Sequence, residues 1–377
     1  MSSLQFSTTL NRMLRQDEPE ELGAPTRPFI EAAVREGRAD DAIQWLDYFQ
    51  QELAAIWYIF GVWNWYMARY YLERKGEDAW KSLLQDSMAA WVGTTAGLKG
   101  QPTADVVVDG HHARLTVPGL AWPVCLVEGE QRFYLTLGTS EAQEQRLREW
   151  RAEIEAAIRG GDNDSFNRLL DTYIEESRII HDILSDWAWA LLSVFIREWG
   201  EEVLTEVLRV TEEPWVTVRY EKLRSMNVED SLRLTVEGMR GHLSGPNRAG
   251  TISVVEEPER YVLSFDACGT GGRMRRGDPV VGSGSRLEAP YNFLNIEGAY
   301  DWTWNRKGVC AYCSHCAVVN QILPIENLGR PMRMTLYPEN PGDPCRWIIH
   351  KDPQNFPAEA FTSVGKQPNQ GQRQHPA

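Results

Sequence analysis

Three cysteines recur at intervals of three in Cys310-Ala-Tyr-Cys313-Ser-His-Cys316, with His315 between the last two. Thiols at that spacing can converge on one centre. Further sulfur donors stand in Gly342-Asp343-Pro344-Cys345 and at Cys268. Tetrahedral zinc takes such S and N ligands, each giving up its proton on binding. The leading expectation is therefore zinc, or another single divalent metal, held by Cys310, Cys313, Cys316 and Cys345. A cubane iron–sulfur cluster also accepts C-x2-C-x2-C spacing, and is the lesser alternative. The usual fourth Cys followed by Pro is missing, and Pro344 precedes Cys345 instead. The metal-free alternative is a set of buried thiols, either inert as small apolar groups or reactive as thiolates.

A second constellation lies upstream, in Cys268-Gly-Thr-Gly-Gly-Arg273-Met-Arg275-Arg276-Gly277. Backbone N–H groups and guanidinium forks in a glycine-rich turn suit a carboxylate or phosphate, which makes Arg273 and Arg276 the expected substrate-binding arginines. The Lys-Ser/Thr of a P-loop is absent, and no dinucleotide fingerprint opening a helix is present, so a solvated surface loop is the alternative. In metal-free chemistry Cys268 or Cys316 is the nucleophile, and His181 or His315 takes the proton. His315 is not expected to face Cys316 from an adjacent helical position, so a dyad needs His181 or His350 brought in by the fold. In the metal version His181 is general base or final ligand, with Asp182 beside it. His242 and His350 are further candidates. Trp187 and Trp302 are expected in the pocket wall, Trp304 in core or wall, and His111 and His112 carry no role.

The elements that must position these groups occur twice. Residues 30–92 align without a gap to 154–216, at a constant offset of 124 and with 19 identities in 63 positions. Composition alone gives roughly 4, from about 6% chance identity. Trp63 and Trp65 match Trp187 and Trp189, and Gly76-Glu77 matches Gly200-Glu201. VEGEQRFYLTL (127–137) then lines up with VEEPERYVLSF (255–265) after a four-residue change of offset. Residues 40–75 and 164–199 carry apolar side chains at helical spacing, with Gly76 and Gly200 as stops. The runs 260–266, 332–338 and 346–350 read as strands. The fold class expected is α+β: a tandem duplication of a helical-plus-antiparallel-sheet domain, the first copy truncated. Its parts are an N-terminal extension (1–27), a truncated non-catalytic repeat (28–140), a catalytic repeat with the cysteines (141–363) and a disordered tail (364–377). His181-Asp182 replaces Trp57-Tyr58, and Asp186 replaces Val62. The second copy is thus either the active one or merely the one with a polar helix face.

Composition bounds the rest. A chain of 377 residues with 42% apolar and 24% charged residues builds large cores. Its net charge of −14 argues against nucleic acid. No basic-then-apolar leader opens the sequence, and the most hydrophobic stretch, Leu53–Ala68, falls short of the roughly 20 residues a bilayer needs. No membrane association is expected. Five of the six cysteines lie after residue 267, and in the cytoplasm expected for this chain they read as metal-binding or catalytic before they read as disulfides.

The segment CSHCAVVNQILPIENLG (313–329), followed by a strand and PGDPCRWIIHKDP (341–353), resembles the C-terminal part of the L-2-amino-thiazoline-4-carboxylic acid hydrolase-like family. Asp266-x-Cys-Gly-x-Gly-Gly-Arg (266–273) is similar to a version of that family. A similar tail occurs in vinyl-reductase-type small-molecule-binding domains. The resemblance covers roughly residues 160–353 and implies a cysteine-bearing helix, a strand and a Gly-Asp-x-Cys turn into the last strand. It maps Cys313, Cys316 and Cys345 onto the family pattern, and leaves Cys310 and the first copy outside it. The expected function is a cytoplasmic hydrolase or lyase cleaving a C–N or C–S bond in a small anionic molecule. The alternatives are a small-molecule-binding sensor with a structural metal and an iron–sulfur redox protein. A homodimer is a further expectation.

Overall fold

The computed structural model describes residues 3–84, 89–98, 105–109, 112–116, 124–129, 132–135 and 140–368. A hairpin of β1 (Leu4–Ser7) and β2 (Arg12–Arg15) leads through α1 (Pro19–Leu22) and α2 (Arg27–Arg35) into the long helix α3 (Ala39–Lys75). Short helices α4 (Glu77–Leu83) and α5 (Ala89–Thr95) follow. Strands β3 (Asp105–Asp109), β4 (His112–Thr116), β5 (Val124–Gly129) and β6 (Arg132–Leu135) then form an antiparallel sheet in sequence order. Helices α6 (Ser140–Gly160), α7 (Asn163–Trp199), α8 (Leu204–Val216), α9 (Tyr220–Ser225) and α10 (Val228–Gly241) come next.

The remainder is the sheet-bearing half. It comprises β7 (Ser253–Glu256), β8 (Arg260–Phe265), α11 (Gly271–Arg276), a small pair β9 (Asn295–Ile296) and β10 (Val309–Cys310), α12 (His315–Ala317), α13 (Leu323–Leu328), β11 (Met334–Leu336), β12 (Cys345–His350) and α14 (Glu359–Thr362). A π-helical turn, Val318–Ile322, joins α12 to α13. The expected α+β class with antiparallel sheets is what the chain adopts.

Helices α3 and α7 are each 37 residues long, begin 124 positions apart, and stop at glycines with φ of 80° and 82°. Only glycine takes that left-handed backbone at little cost, so Gly76 and Gly200 act as the stops that their spacing implies. At its start α7 is capped by Asp162, whose side chain accepts from the Ser165 N–H at 3.0 Å. The two helices pack on each other, and Asn64 Nδ2 donates to the Leu184 carbonyl at 2.9 Å between them. Both helical halves contribute to one core, which includes Trp63, Trp80, Trp187 and Trp189.

One stretch of α7 is apolar and long enough to cross a bilayer, but 94% of it is buried inside the protein, as in a core helix. The Leu53–Ala68 stretch of α3 is likewise core, with Trp57, Phe60, Trp63 and Trp65 buried.

The second sheet has the order β11-β12-β8-β7, all antiparallel. Alternate burial along β8 turns Tyr261, Leu263 and Phe265 toward Leu232, Val236 and Met239 of α10. The two sheets differ in topology: β8 is central, whereas the matching strand β6 stands at an edge. Register places Cys345, the first residue of β12, opposite Phe265, the last of β8. That pairing brings Cys345 to the end of the sheet from which the Cys268 turn departs. The tail expected beyond residue 364 is described as far as Pro368, and its remainder lies outside the described residues, as does His111.

Candidate active site: a cavity walled by four thiols

A cavity of about 480 Å³ lies between α3, α10, the β8–β12 sheet end and the 310–320 segment. Cys268, Cys313, Cys316 and Cys345 all line it, together with His242, His315, Arg275 and Arg333. These thiols come from four places in the chain: the turn after β8, the approach to α12, α12 itself and the start of β12. Cys310 is fully buried and does not line the cavity. Of the thiols expected to hold a metal, Cys313, Cys316 and Cys345 face one space, which Cys268 also faces, while Cys310 does not reach it. All five are free thiols.

Burial pushes the Cys268, Cys316 and Cys345 thiols up, and neighbouring sulfurs push them further. Cys313 is raised well above the usual range by its hydrogen bond with Cys310, then by burial. The pull of Arg275 and Arg333 does not offset this, and these groups are protonated at neutral pH. Among the described residues Arg275 makes no ion pair, and it stands within electrostatic reach of Cys313, Cys310, Cys268 and the Asp343 carboxylate, with its guanidinium over the Tyr337 ring at 4.9 Å. Among the described residues no three His, Cys, Asp or Glu side chains sit close enough to hold one ion as they stand.

The glycine-rich turn is not an open anion cradle. Residues 271–276 form the short helix α11, which carries Arg273 inward. A Cβ on Gly269 would lie 1.6 Å from the His242 carbonyl oxygen, and one on Gly271 would lie 2.4 Å from Cys313 Sγ. The glycines are there for close approach of backbone to neighbours. Gly272 N–H donates to Cys268 Sγ at 3.0 Å.

Arg273, expected to bind substrate, is buried, does not line the cavity and bonds Asp186, whose Oδ1 accepts from its Nη2 at 2.6 Å. Arg276 touches the cavity but grips the turn before Cys345, donating to the carbonyls of Pro341, Gly342 and Asp343 at 2.7–2.8 Å. Its work is to position that thiol. Trp187 is packed against Trp80 in the core, away from the cavity. Trp302 lines a separate cavity of about 230 Å³ and donates to Thr205 Oγ1 at 3.0 Å. Trp304 does reach the thiol cavity.

His181 is wholly buried and does not touch the cavity. Its Nδ1 lies 2.8 Å from Asp182 Oδ1, and its Nε2 lies 3.1 Å from Nδ1 of His242. His242 does line the cavity. Burial keeps both imidazoles below their usual range, and in His242 the neighbouring His181 and His315 lower it further. Asp182 accepts from His181 Nδ1–H, so His181 Nε2 accepts from His242 Nδ1–H, leaving the His242 Nε2 lone pair free. Burial alone would raise Asp182, but Arg248 and Arg273 hold it well below the carboxylate range. Arg248 and Arg178 also bond it directly, Arg248 Nη2 at 2.6 Å and Arg178 Nη1 at 3.0 Å. Asp186 accepts from Arg273, Arg286 and Thr95 in the same buried network.

His315 corrects another expectation. Its Nε2 lies 3.3 Å from Cys316 Sγ although the two are adjacent in sequence. It is locked by stacking on Trp63, with centroids 5.0 Å apart and planes at 19°. Burial drives His315 down to about 3, so it is neutral and meets a neutral thiol. That contact is a hydrogen bond, not an activated thiolate–imidazolium pair. His350 lies elsewhere, against Phe356.

Two cavity groups had no signal in the sequence. Glu237 of α10 is buried at the cavity wall, pushed up to about 7 by burial, and bonded by Arg12 from the N-terminal hairpin. Asn320, in the π-turn, donates from Nδ2 to Thr335 Oγ1 at 3.0 Å and leaves its Oδ1 without a partner at the cavity. Such turns gather at functional sites.

Comparison with protein-family models, with curated proteins and with solved structures finds no match for this chain.

Proposed function

We propose that this protein is an enzyme acting on a small organic molecule held in the thiol-walled cavity, cleaving a C–N or C–S bond. The reading rests on one observation: four thiols from four chain segments line a single cavity that an imidazole also faces. A metal centre held by Cys268, Cys313, Cys316 and Cys345 fits the chemistry of that donor set, once side-chain rotation draws the sulfurs together. Arg275, within electrostatic reach of Cys313, Cys310 and Cys268, suits the negative charge that deprotonated sulfurs would carry. A bound cation would supply Lewis acidity toward a substrate atom or a water.

This chain's own groups have definite parts in that reading. His242 offers the Nε2 lone pair as general base, backed by His181 and Asp182. Glu237, with a carboxyl poised near neutrality, is suited to give a proton to a leaving group. The sulfurs face a cavity, whereas a purely structural metal site is closed off by its protein ligands, and this favours the enzyme over a sensor. Four thiols also meet the ligand count of a cubane cluster, which keeps the iron–sulfur redox protein as the second reading.

The duplication belongs to the same proposal. Matched lengths and glycine stops of α3 and α7, together with the matched hairpins β5–β6 and β7–β8, support an ancestral repeat whose second copy kept the polar helix.

Elemental analysis of protein purified anaerobically tests the metal. About one zinc, or one other divalent ion, per chain supports the leading reading. Several irons with matching sulfide move it to the cluster. No metal in any preparation retires both and leaves a reactive thiol to be sought with alkylating probes.

A further inference from the structure

The thiol cavity carries more positive charge than its own acids answer. Among the described residues lining it the acids are Glu237, bonded by Arg12, and Asp343, which lies within electrostatic reach of Arg276 and Arg275. Arg219 and Arg333 line the same cavity, and among the described residues no carboxylate acts on either. Arg219 lies over the Trp215 ring at 5.2 Å from its centroid. Arg333 lies over Trp347 at 4.2 Å, gives one hydrogen bond from Nη1 to Thr235 Oγ1 at 3.0 Å, and leaves its Nε without an acceptor.

Both residues are half-buried, and guanidinium groups partly withdrawn from water without an anion are costly, an arrangement that a bound anion would relieve. Arg219 and Arg333 line one cavity, and burial with the charge of Arg219 pushes Arg333 down to about 10. Both rest on indole faces, which fixes their planes while leaving N–H edges for an acceptor. In a chain with a net charge of −14, this local excess is a specific feature of the site.

We infer that Arg219 and Arg333 form a two-guanidinium clamp for the carboxylate of the substrate, making that substrate a small organic acid with an apolar body. The body would lie against apolar lining such as Ile56, Ile59 and Val319. Arg333 is also within electrostatic reach of Cys316, so a clamped acid presents its neighbouring atoms to the thiol wall. This rests on the reading of the cavity as a small-molecule site, and it replaces Arg273 and Arg276 as the anion-binding pair.

Isothermal titration and tryptophan fluorescence with butyrate, octanoate, benzoate, benzamide and inorganic phosphate test it on the full chain, with metal content assayed on the same samples. Benzoate or octanoate should bind and neutral benzamide should not. Arg219→Met and Arg333→Met should each weaken carboxylate binding at least tenfold. Arg333→Lys should retain part of it, and Arg168→Met, on the exposed face of α7, should change nothing. Circular dichroism and melting temperature establish that each variant is folded. Carboxylate binding unaltered in folded Met variants overturns the clamp, as does the absence of binding by every carboxylate. Phosphate preferred over all of them overturns the substrate class. Carboxylate binding in protein that never holds metal upholds the clamp and retires only the metal; metal without carboxylate binding does the reverse.

Discussion

Nε2 of His181 lies 3.1 Å from Nδ1 of His242, and through that contact a buried Asp–His pair reaches the thiol cavity. The arrangement orients one cavity-facing imidazole by a second imidazole that no ligand can touch. Because burial holds both rings below their usual range, histidine-labelled protein observed by NMR should show neutral imidazoles at pH 7.5, with His242 protonated on Nδ1. A ring that titrates near 6.5 would remove this tautomer assignment. His242→Gln should cut turnover by about 10²–10⁴-fold, the range of a general base, while benzoate still binds.

Gly271 gives a second test. A methyl group there would stand 2.4 Å from Cys313 Sγ, a distance no relaxed structure keeps. Gly271→Ala should displace the thiol or the start of α11, costing about 1–3 kcal/mol of stability, as overpacking does. Metal uptake should fall with it. Gly282→Ala, where no atom lies within 4 Å but φ is 69°, is the control for backbone strain alone. Equal metal uptake by the two variants would show that Cys313 needs no such space.

The thiols can be sorted directly. Cys345→Ser and Cys268→Ser should each lower metal per chain, whereas Cys310→Ser, behind the cavity wall, should leave it near the wild-type value. Colour or metal content lost only on changing Cys310 would restore the spacing-based set.

Two carboxyls set opposite pH dependences. Glu326 is pulled down to about 2: burial works against this, and the bonds from Arg209 and Lys366 outweigh it. A depressed carboxyl stabilises the fold above its unfolded value of about 4.5 and loses that contribution as pH falls toward 2. Glu326→Gln should cost about 1–2 kcal/mol at pH 7, discounted for its partial exposure, and nothing at pH 2. Urea melts at the two pH values read this out.

Glu237 runs the other way. Its folded value of about 7 exceeds the unfolded 4.5, so the folded chain keeps a proton that the unfolded chain has released. Stability should therefore fall as pH rises from about 4.5 to 7, by about 2–3 kcal/mol over that window. Glu237→Gln should flatten the profile. A profile that keeps its slope would place the titration on another group.

Much of the frame was legible in the chain itself. Apolar periodicity and paired glycines gave both long helices to within a residue, because a glycine at a helix stop is a local requirement of backbone conformation. Alternation in 260–265 gave β8, because side chains of a strand must point in turn to core and surface. The clustering of Cys313 and Cys316 was legible for a similar reason, since a short turn cannot separate them. The rest depended on partners distant in sequence. Spacing favoured Cys310 over Cys268, but the β8–β12 pairing and the glycine contacts carried Cys268 to the cavity and left Cys310 behind it. Arg273 and Arg275 stand two residues apart on α11, yet one is spent on Asp186 and the other is left for the thiols. Arg219, Arg333 and Glu237 are unremarkable in sequence and acquire meaning only from what the fold denies or supplies them. A charge becomes chemically available through the absence of a counter-ion in three dimensions, and a linear sequence does not record that absence.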